Sequence, residues 1–367
     1  MTGTAGPPAA GAPVRVMLCD DSATVRTVLA RLLEADPGIR VVARVAHGQE
    51  AVATMQRLPA ALRPQVVLLD LEMPVMDGMT ALPLLLRDRP RPAVIVASAL
   101  TQRGAAAAMA ALRAGAVDYI PKPAAAGGGL NDPAFQAELQ AKVTGWARMG
   151  ARGPAPRAVV PKPPAPIAPL RGLRAIGLGC STGGPQALVA FVQALTRPLP
   201  VPLLVVQHMP AGFIAMLADH LNRLGRLPCA EARDGEVLRP GRLYLAPGDR
   251  HLLAEPGAGG LVARLADTPP ENFCRPAVDP MLRSLSAACG GAVLAVILTG
   301  MGQDGLAGCR AIAAAGGTVL AQDEASSVVW GMPGAVAKAG LARALLPPAA
   351  LAEQVLAATA GRPGMVA

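Results

Sequence analysis

Short apolar runs, each closed by a polar residue and followed by a segment with helical spacing, recur along most of the chain. In the first half they are Val14 to Cys19, Ile39 to Ala46, Val66 to Leu69, Ala93 to Ala97 and Val117 to Ile120. Runs this short and unalternated read as strands buried on both faces of a sheet. Between them apolar residues recur at intervals of three and four. Val25, Val28, Leu29, Leu32 and Leu33 follow a capping Ser22, and further helices span Gln49 to Leu58, start at the Asp77-Gly78 turn, and span Gly104 to Ala114. A last helix carries Phe135, Leu139, Val143 and Trp146 on one stripe. Strand followed by helix, five times over, predicts a doubly wound parallel α/β sheet across residues 14–149.

The pattern then lapses. Residues 150–171 are dense in Pro, Ala and Arg, a composition that builds no core and predicts a semi-rigid linker. Residues 1–13, rich in Gly, Ala and Pro, predict a disordered tail. Alternation resumes across residues 172–360. Strands are expected at Leu173 to Leu178, Val201 to Val206, Arg242 to Leu245, Ala292 to Leu298 and Thr318 to Ala321. Helices are expected at Gln186 to Leu195 and from Arg275-Pro276-Ala277-Val278-Asp279 toward Leu285. This is a second α/β domain with a mostly parallel sheet.

The polar residues that close the runs are where chemistry is expected, because open parallel sheets form sites at the C-terminal ends of their strands. Ser181 lies in Gly179-Cys180-Ser181-Thr182-Gly183-Gly184-Pro185, a strand-to-helix turn whose glycines lift the hydroxyl clear of the backbone. The following helix points unpaired N–H groups at that position. A serine needs a base and a group that orients the base. Of four histidines, His208 stands at a strand end, in Gln207-His208-Met209-Pro210; His47, His220 and His251 lack that placement and read as surface or structural. Asp304 stands likewise, in Thr299-Gly300-Met301-Gly302-Gln303-Asp304-Gly305. Taken singly, the turn could bind a phosphate, His208 could be structural and Asp304 a turn residue; together they make a serine–histidine–aspartate triad. The Gly-x-Ser-x-Gly pattern also occurs in α/β-hydrolases, but there the acid precedes the histidine, and here the histidine comes first. Arg275 is open to a capping, surface or substrate role.

In the first domain Asp20, Asp21, Asp70 and Lys122 all close strands, so they can meet on one edge. Carboxylates brought that close repel one another unless a cation joins them, and hard oxygen ligands on an open edge suit Mg²⁺. Asp70 could then attack a phosphoryl group while the metal and Lys122 neutralise the moving charge.

Composition narrows the classes. The chain of 367 residues is 52% hydrophobic, enough for two full cores, and 2% aromatic, too little for base-stacking platforms. The formal net charge of +9 comes from scattered arginines without a basic, aromatic-interleaved helix, which argues for attraction to acidic partners rather than nucleic acid. Six cysteines without a CxxC pair predict a reducing, cytoplasmic setting and no metal framework. No apolar run is long enough to span a bilayer.

The first domain resembles the receiver (flavodoxin-like) of two-component response regulators, through Asp20-Asp21, Asp70-Leu71-Glu72-Met73-Pro74-Val75-Met76-Asp77-Gly78 and Lys122-Pro123. The resemblance implies phosphorylation of Asp70, a metal held by Asp21 and Asp70 with Asp20 nearby and the Glu72 carbonyl as a further ligand, and a cis Lys122-Pro123 bond. Receivers carry a switching Ser or Thr at the end of the fourth strand. Here Ala97 falls at that place with Ser98 beside it, which leaves the switch position open between the two; Ser98 is the candidate, with Lys122, for contact with the phosphoryl group. The second domain resembles the catalytic domain of the chemotaxis receptor methylesterase family (CheB), through Gly179 to Pro185, Gln207-His208-Met209, Arg275 to Asp279 and Leu298 to Gly305, with Cys180 where that family has a small residue. This implies a phosphorylation-activated esterase that demethylates glutamate methyl esters, and deamidates glutamines, on chemoreceptors. The implied roles are Ser181 as nucleophile, His208 as base, Asp304 as orienter and the Met301 N–H in the oxyanion site, with no cofactor there. A chemotaxis-type histidine kinase is the implied phosphodonor, and contact with membranes is only through receptors. The unphosphorylated receiver is expected to restrict access to the Ser181 edge. The alternatives are a response regulator acting on a different ester and one with a non-enzymatic output domain.

Overall fold

The computed structural model describes residues 12–99, 101–122, 132–151 and 167–360, which fall into two compact units, 1–157 and 158–367. Most of the expected tail and of the Pro-rich linker lies outside the described residues, as does Pro123, on which the expected cis bond depends.

The first unit runs β1 (Val14–Cys19), α1 (Ala23–Glu34), β2 (Ile39–Val45), α2 (Gly48–Arg57), β3 (Val66–Asp70), α3 (Gly78–Leu85), β4 (Ala93–Ala99), α4 (Gln102–Arg113), β5 (Asp118–Lys122) and α5 (Pro133–Ala151). Ser22 caps α1, accepting from Val25 N at 3.3 Å, and His47 caps α2 through Nδ1 in the structural role expected of it. The strands pair in parallel in the order β2-β1-β3-β4-β5. Alternate strand residues point to one face. Val16, Leu18, Val66, Leu68, Ile95 and Ile120 therefore form one core with Leu29 and Leu33 of α1 and the Phe135, Leu139, Val143 stripe of α5. Strand order reverses between β1 and β3, which opens a crevice where Asp20, Asp21 and Asp70 emerge.

The second unit contains β6 (Ala175–Cys180), α6 (Gly184–Ala194), β7 (Leu203–Gln207), α7 (Ala211–Asn222), β8 (Cys229–Glu231), β9 (Leu243–Leu245), a hairpin of β10 (His251–Gly257) and β11 (Gly260–Ala266), α8 (Val278–Cys289), β12 (Val293–Ile297), α9 (Leu306–Ala314), β13 (Thr318–Gln322), α10 (Met332–Lys338), β14 (Ala344–Leu346) and α11 (Pro348–Ala358). Seven strands pair in parallel in the order β14-β13-β12-β6-β7-β9-β8. The chain starts at β6, builds outward through β7, then crosses to β12 on the other side. The point of reversal thus lies between β6 and β12. Three short or edge elements, β8, β14 and the antiparallel hairpin, were not legible as apolar runs; Glu255, Arg264 and the glycines of the hairpin interrupt its pattern.

Strands also end later than their apolar runs. β3 takes in Asp70 and β5 takes in Lys122, because the backbone ladder continues regardless of side-chain polarity.

Candidate active site

Three adjacent strands of the second unit set the levels of the serine, the histidine and the aspartate loop. Cys180 pairs with Gln207 and Gly179 with Ile297, so Ser181, His208 and the Leu298–Thr299 step leave the sheet side by side, about 4.8 Å apart from strand to strand. Backbone bonds hold this level: Ser181 N donates to Thr299 O at 3.0 Å and His208 N to Cys180 O at 3.1 Å. Gly183, at φ 74°, makes the turn into α6, and a side chain there would strike Val328.

Buried polar side chains lash these loops together. Gln207 Nε2 reaches Ser181 O and His208 O, both at 3.0 Å, and its Oε1 accepts from Cys180 Sγ at 3.0 Å. Thr299 Oγ1 donates to Thr182 O at 2.9 Å and accepts from Val329 N at 3.1 Å, while Thr299 N donates to Gln322 Oε1 at 2.7 Å. These groups fix where the Ser181 turn sits; none was singled out from the sequence, although Gln207 and Gln322 each close an apolar run.

Asp304 is buried at the N-terminus of α8. It accepts from Val278 N (2.6 Å) on Oδ2 and from Asp279 N (3.1 Å), Gly305 N (2.9 Å) and Asn272 Nδ2 (3.0 Å) on Oδ1. His208 Nε2 completes the set at 2.7 Å from Oδ2. Burial alone would raise the carboxyl's pKa, but the His208 contact and the helix amides outweigh it and hold Asp304 below the usual carboxylate range. For His208, burial favours the neutral ring, yet the Asp304 carboxylate overrides it and raises its basicity, with the Cys274 sulfur contributing. Asp279, the second residue of the same helix, takes Gly308 N at 2.6 Å and Asn272 Nδ2 at 3.0 Å, and burial pushes it up.

The pairing selects a nitrogen. With Nε2–H donating to Asp304, the lone pair of a neutral ring lies on Nδ1. In this structure Nδ1 faces Cys274 Sγ at 3.4 Å, and among the described residues no hydrogen bond joins Ser181 Oγ to His208. Met301 follows Gly300, whose backbone packs so closely on Ser181 that a Cβ would come within 2.9 Å of the Ser181 Cβ. The Met301 N–H donates to no group among the described residues. Arg275 turns its guanidinium to the carbonyls of Asp267 and Thr268 at 3.4 and 3.3 Å, clasping its own loop. His251 is fully buried in the same clasp, meeting Pro269 O at 3.1 Å and accepting from Ala277 N at 3.1 Å.

In the first unit the strand-end acids meet as the pattern suggested. Carboxylate oxygens of Asp20, Asp21 and Asp70 lie within 4.8 Å of one another. Lys122 Nζ stands 2.7 Å from both Asp20 Oδ2 and Asp70 Oδ2. Asp20 Oδ2 is buried and, apart from that ion pair, accepts no aligned hydrogen bond. Burial pushes Asp70 upward, against the pull of Lys122. The lysine itself is raised: desolvation opposes its charge, but hydrogen bonds and attraction to the two aspartates prevail. A cluster of hard oxygens with spare coordination capacity fits a divalent cation such as Mg²⁺. Ser98 lines the same cavity as Asp21, Asp70, Glu72 and Lys122, and its hydroxyl donates to Gly104 O at 2.7 Å.

Compared with known proteins, residues 176–355 match the family model described as CheB methylesterase, and residues 16–128 match the response regulator receiver domain. A protein-glutamate methylesterase/protein-glutamine glutaminase of Azospirillum brasilense is 50% identical over 370 residues, covering 94% of this chain and 92% of that protein. One of Paramagnetospirillum magneticum is 47% identical over 376 residues, covering 95% and 97%. The crystal structure of the Thermotoga maritima CheB methylesterase catalytic domain is 40% identical, covers 50% of this chain and 97% of that one, and has a TM-score of 0.49. A receiver-type sheet, a second parallel sheet with serine, histidine and aspartate on loops that leave three adjacent strands, and identity over nearly the whole length agree: the chain belongs to the protein-glutamate methylesterase/protein-glutamine glutaminase family.

Proposed function

We propose that this protein is a phosphorylation-activated serine esterase that hydrolyses glutamate methyl esters on chemoreceptors, releasing methanol, and deamidates glutamines by the same route. The observation that carries the reading is the 2.7 Å contact of Asp304 with His208 Nε2, which leaves Nδ1 as the basic nitrogen at the level of Ser181.

Ser181 Oγ attacks the ester carbonyl carbon as its proton passes to His208 Nδ1. The Cys274 thiol yields Nδ1 when substrate is bound, in keeping with catalytic hydrogen bonds that tighten only in the complex. Asp304 holds the ring and balances the imidazolium charge. The unengaged Met301 N–H, with the α6 N-terminus beyond Ser181, stabilises the oxyanion. Collapse breaks the carbon–oxygen bond to methoxide, which takes the proton from His208 and leaves as methanol. Water, deprotonated by the same nitrogen, then opens the acyl-serine to a carboxylate and a restored hydroxyl. With a side-chain amide the leaving group is ammonia.

In the receiver, Asp70 is the phosphoryl acceptor. Asp21, Asp70 and the Glu72 carbonyl would hold Mg²⁺ with Asp20 beside them, and the ion would supply charge neutralisation at the phosphoryl oxygens. Lys122, already ion-paired to Asp70, draws toward the new phosphoryl charge, and the Ser98 hydroxyl exchanges Gly104 O for a phosphoryl oxygen. The phosphodonor is a histidine kinase of the chemotaxis type. A cytoplasmic location fits six free cysteines, four of them buried, and the lack of any helix among the described residues long and apolar enough to cross a membrane. Methanol release from a methylated receptor tests the reading. Ser181→Ala should abolish release while Asp70 still takes phosphate; normal release from that variant rejects Ser181 as nucleophile.

A further inference from the structure

The chain has four phenylalanines, and three of them, Phe135, Phe191 and Phe213, are buried in its cores. The fourth, Phe273, is 104% exposed, at the tip of a two-residue turn. That turn is closed by Glu271 N to Cys274 O at 3.1 Å and Cys274 N to Glu271 O at 2.9 Å, with Asn272 at φ 51° and Phe273 at φ 62°. Positive φ at both central residues calls for Asn followed by Gly. Asn272 meets the rule, whereas Phe273 holds the glycine position against its own steric preference and without any packing to compensate.

The turn is anchored on the reacting groups. Asn272 Nδ2 is 3.0 Å from Asp304 Oδ1, and Cys274 Sγ is 3.4 Å from His208 Nδ1, so both chain neighbours of Phe273 touch the histidine–aspartate pair. Met301, also exposed, projects from the loop whose Gly300 packs on Ser181. Two of the exposed large apolar side chains of this unit therefore rise from the two loops beside the nucleophile and its base.

We propose that Phe273 is a specificity-determining residue that packs against an apolar side chain of the receptor next to the modified glutamate, so that the esterase reads a protein surface and not the ester alone. An exposed aromatic beside the reacting groups offers large rigid contact area at small entropic cost, as aromatic anchors do at interfaces. Met301 provides the second apolar point. The inference rests on the chemoreceptor substrate proposed above.

The test uses the full chain and two substrates: membranes carrying a receptor labelled with tritiated methyl esters, and the γ-methyl ester of N-acetylglutamate. Phe273→Gly suits the backbone of the turn, so its thermal midpoint should equal or exceed that of the parent chain. Its kcat/KM on receptor should fall about ten-fold, mostly in KM, while turnover of the small ester stays within about two-fold. Phe273→Leu should retain most receptor activity. Unchanged receptor turnover in Phe273→Gly overturns the inference, as does an equal fall on both substrates, which would make the turn a support for His208 only. If the parent chain releases no methanol from receptor, the proposed function itself fails, an outcome separate from either variant result.

Discussion

At the scale of single residues, the chemistry turns on which imidazole nitrogen is free. Asp304 has five donors converging on one carboxylate, two of them first-turn amides of α8, and is held ionised deep in the protein. A fixed anion on Nε2 favours the imidazolium, so His208 keeps its proton to higher pH than an ordinary histidine, whose value is about 6.5. The base must be neutral to act. The acid limb of kcat/KM for methanol release should therefore lie above that value, with activity rising as pH rises through it. In Asp304→Asn the limb should move toward lower pH, while kcat falls by a factor on the order of 10³–10⁴, because the ring loses both its orienting partner and the charge that balances it. A pH–rate profile of the two proteins checks both statements. Placement of Ser181, His208 and Asp304 at strand ends was readable in the chain. Cys274 at Nδ1 and Asn272 between two aspartates were not, since a cysteine or asparagine in a loop carries no periodic signal.

At the scale of elements, the strand-to-helix turn after β6 carries the greatest constraint. Gly179 abuts Val278 of α8, Gly183 abuts Val328 at a left-handed backbone angle, and Gly184 abuts the amide of Gln207. These contacts let three loops crowd around one hydroxyl. Gly183→Ala should cost about 1–3 kcal/mol through backbone strain and displace the Ser181 turn, because the added methyl would lie 2.6 Å from Val328 Cγ2. Denaturant unfolding would measure the first effect, and methanol release the second. A glycine-to-alanine change at Gly172, also at positive φ but with open space around it, should show the backbone strain without the loss of turnover. The central strands of both units, the five helices of the first unit, and α6 and α8 of the second lie where the apolar spacing placed them, whereas α7, α9, α10 and α11 were not read from the chain. The edge strands β8 and β14 and the β10–β11 hairpin escaped, since three-residue pairings and a half-exposed ribbon have no run to read.

At the scale of the whole molecule, two sheets each place acids at a reversal of strand order, Asp20, Asp21 and Asp70 in the first and Asp304 in the second, and the proposed function couples the two. Coupling between them is a statement about populations: phosphorylation at Asp70 can raise esterase activity only as far as it distinguishes a restrained state from an active one. Asp70→Asn should keep basal methanol release and lose its increase on adding a phosphodonor. Residues 172–367 alone should exceed the basal rate of the full chain. If removing the receiver leaves the basal rate unchanged, restraint by the receiver is rejected. The order of domains, the parallel α/β class of both sheets and the loops that bear their acids, serine and histidine followed from the chain alone. Those features depend on short-range spacing, and a buried strand, an amphipathic helix and a glycine turn each leave a local trace. Only the folded structure decided that Asp304 takes Nε2 and caps α8, that Lys122 bridges Asp20 and Asp70, and that Phe273 stands bare beside the site. Such pairings join loops as many as 102 positions apart through side-chain orientation, for which local sequence carries no period.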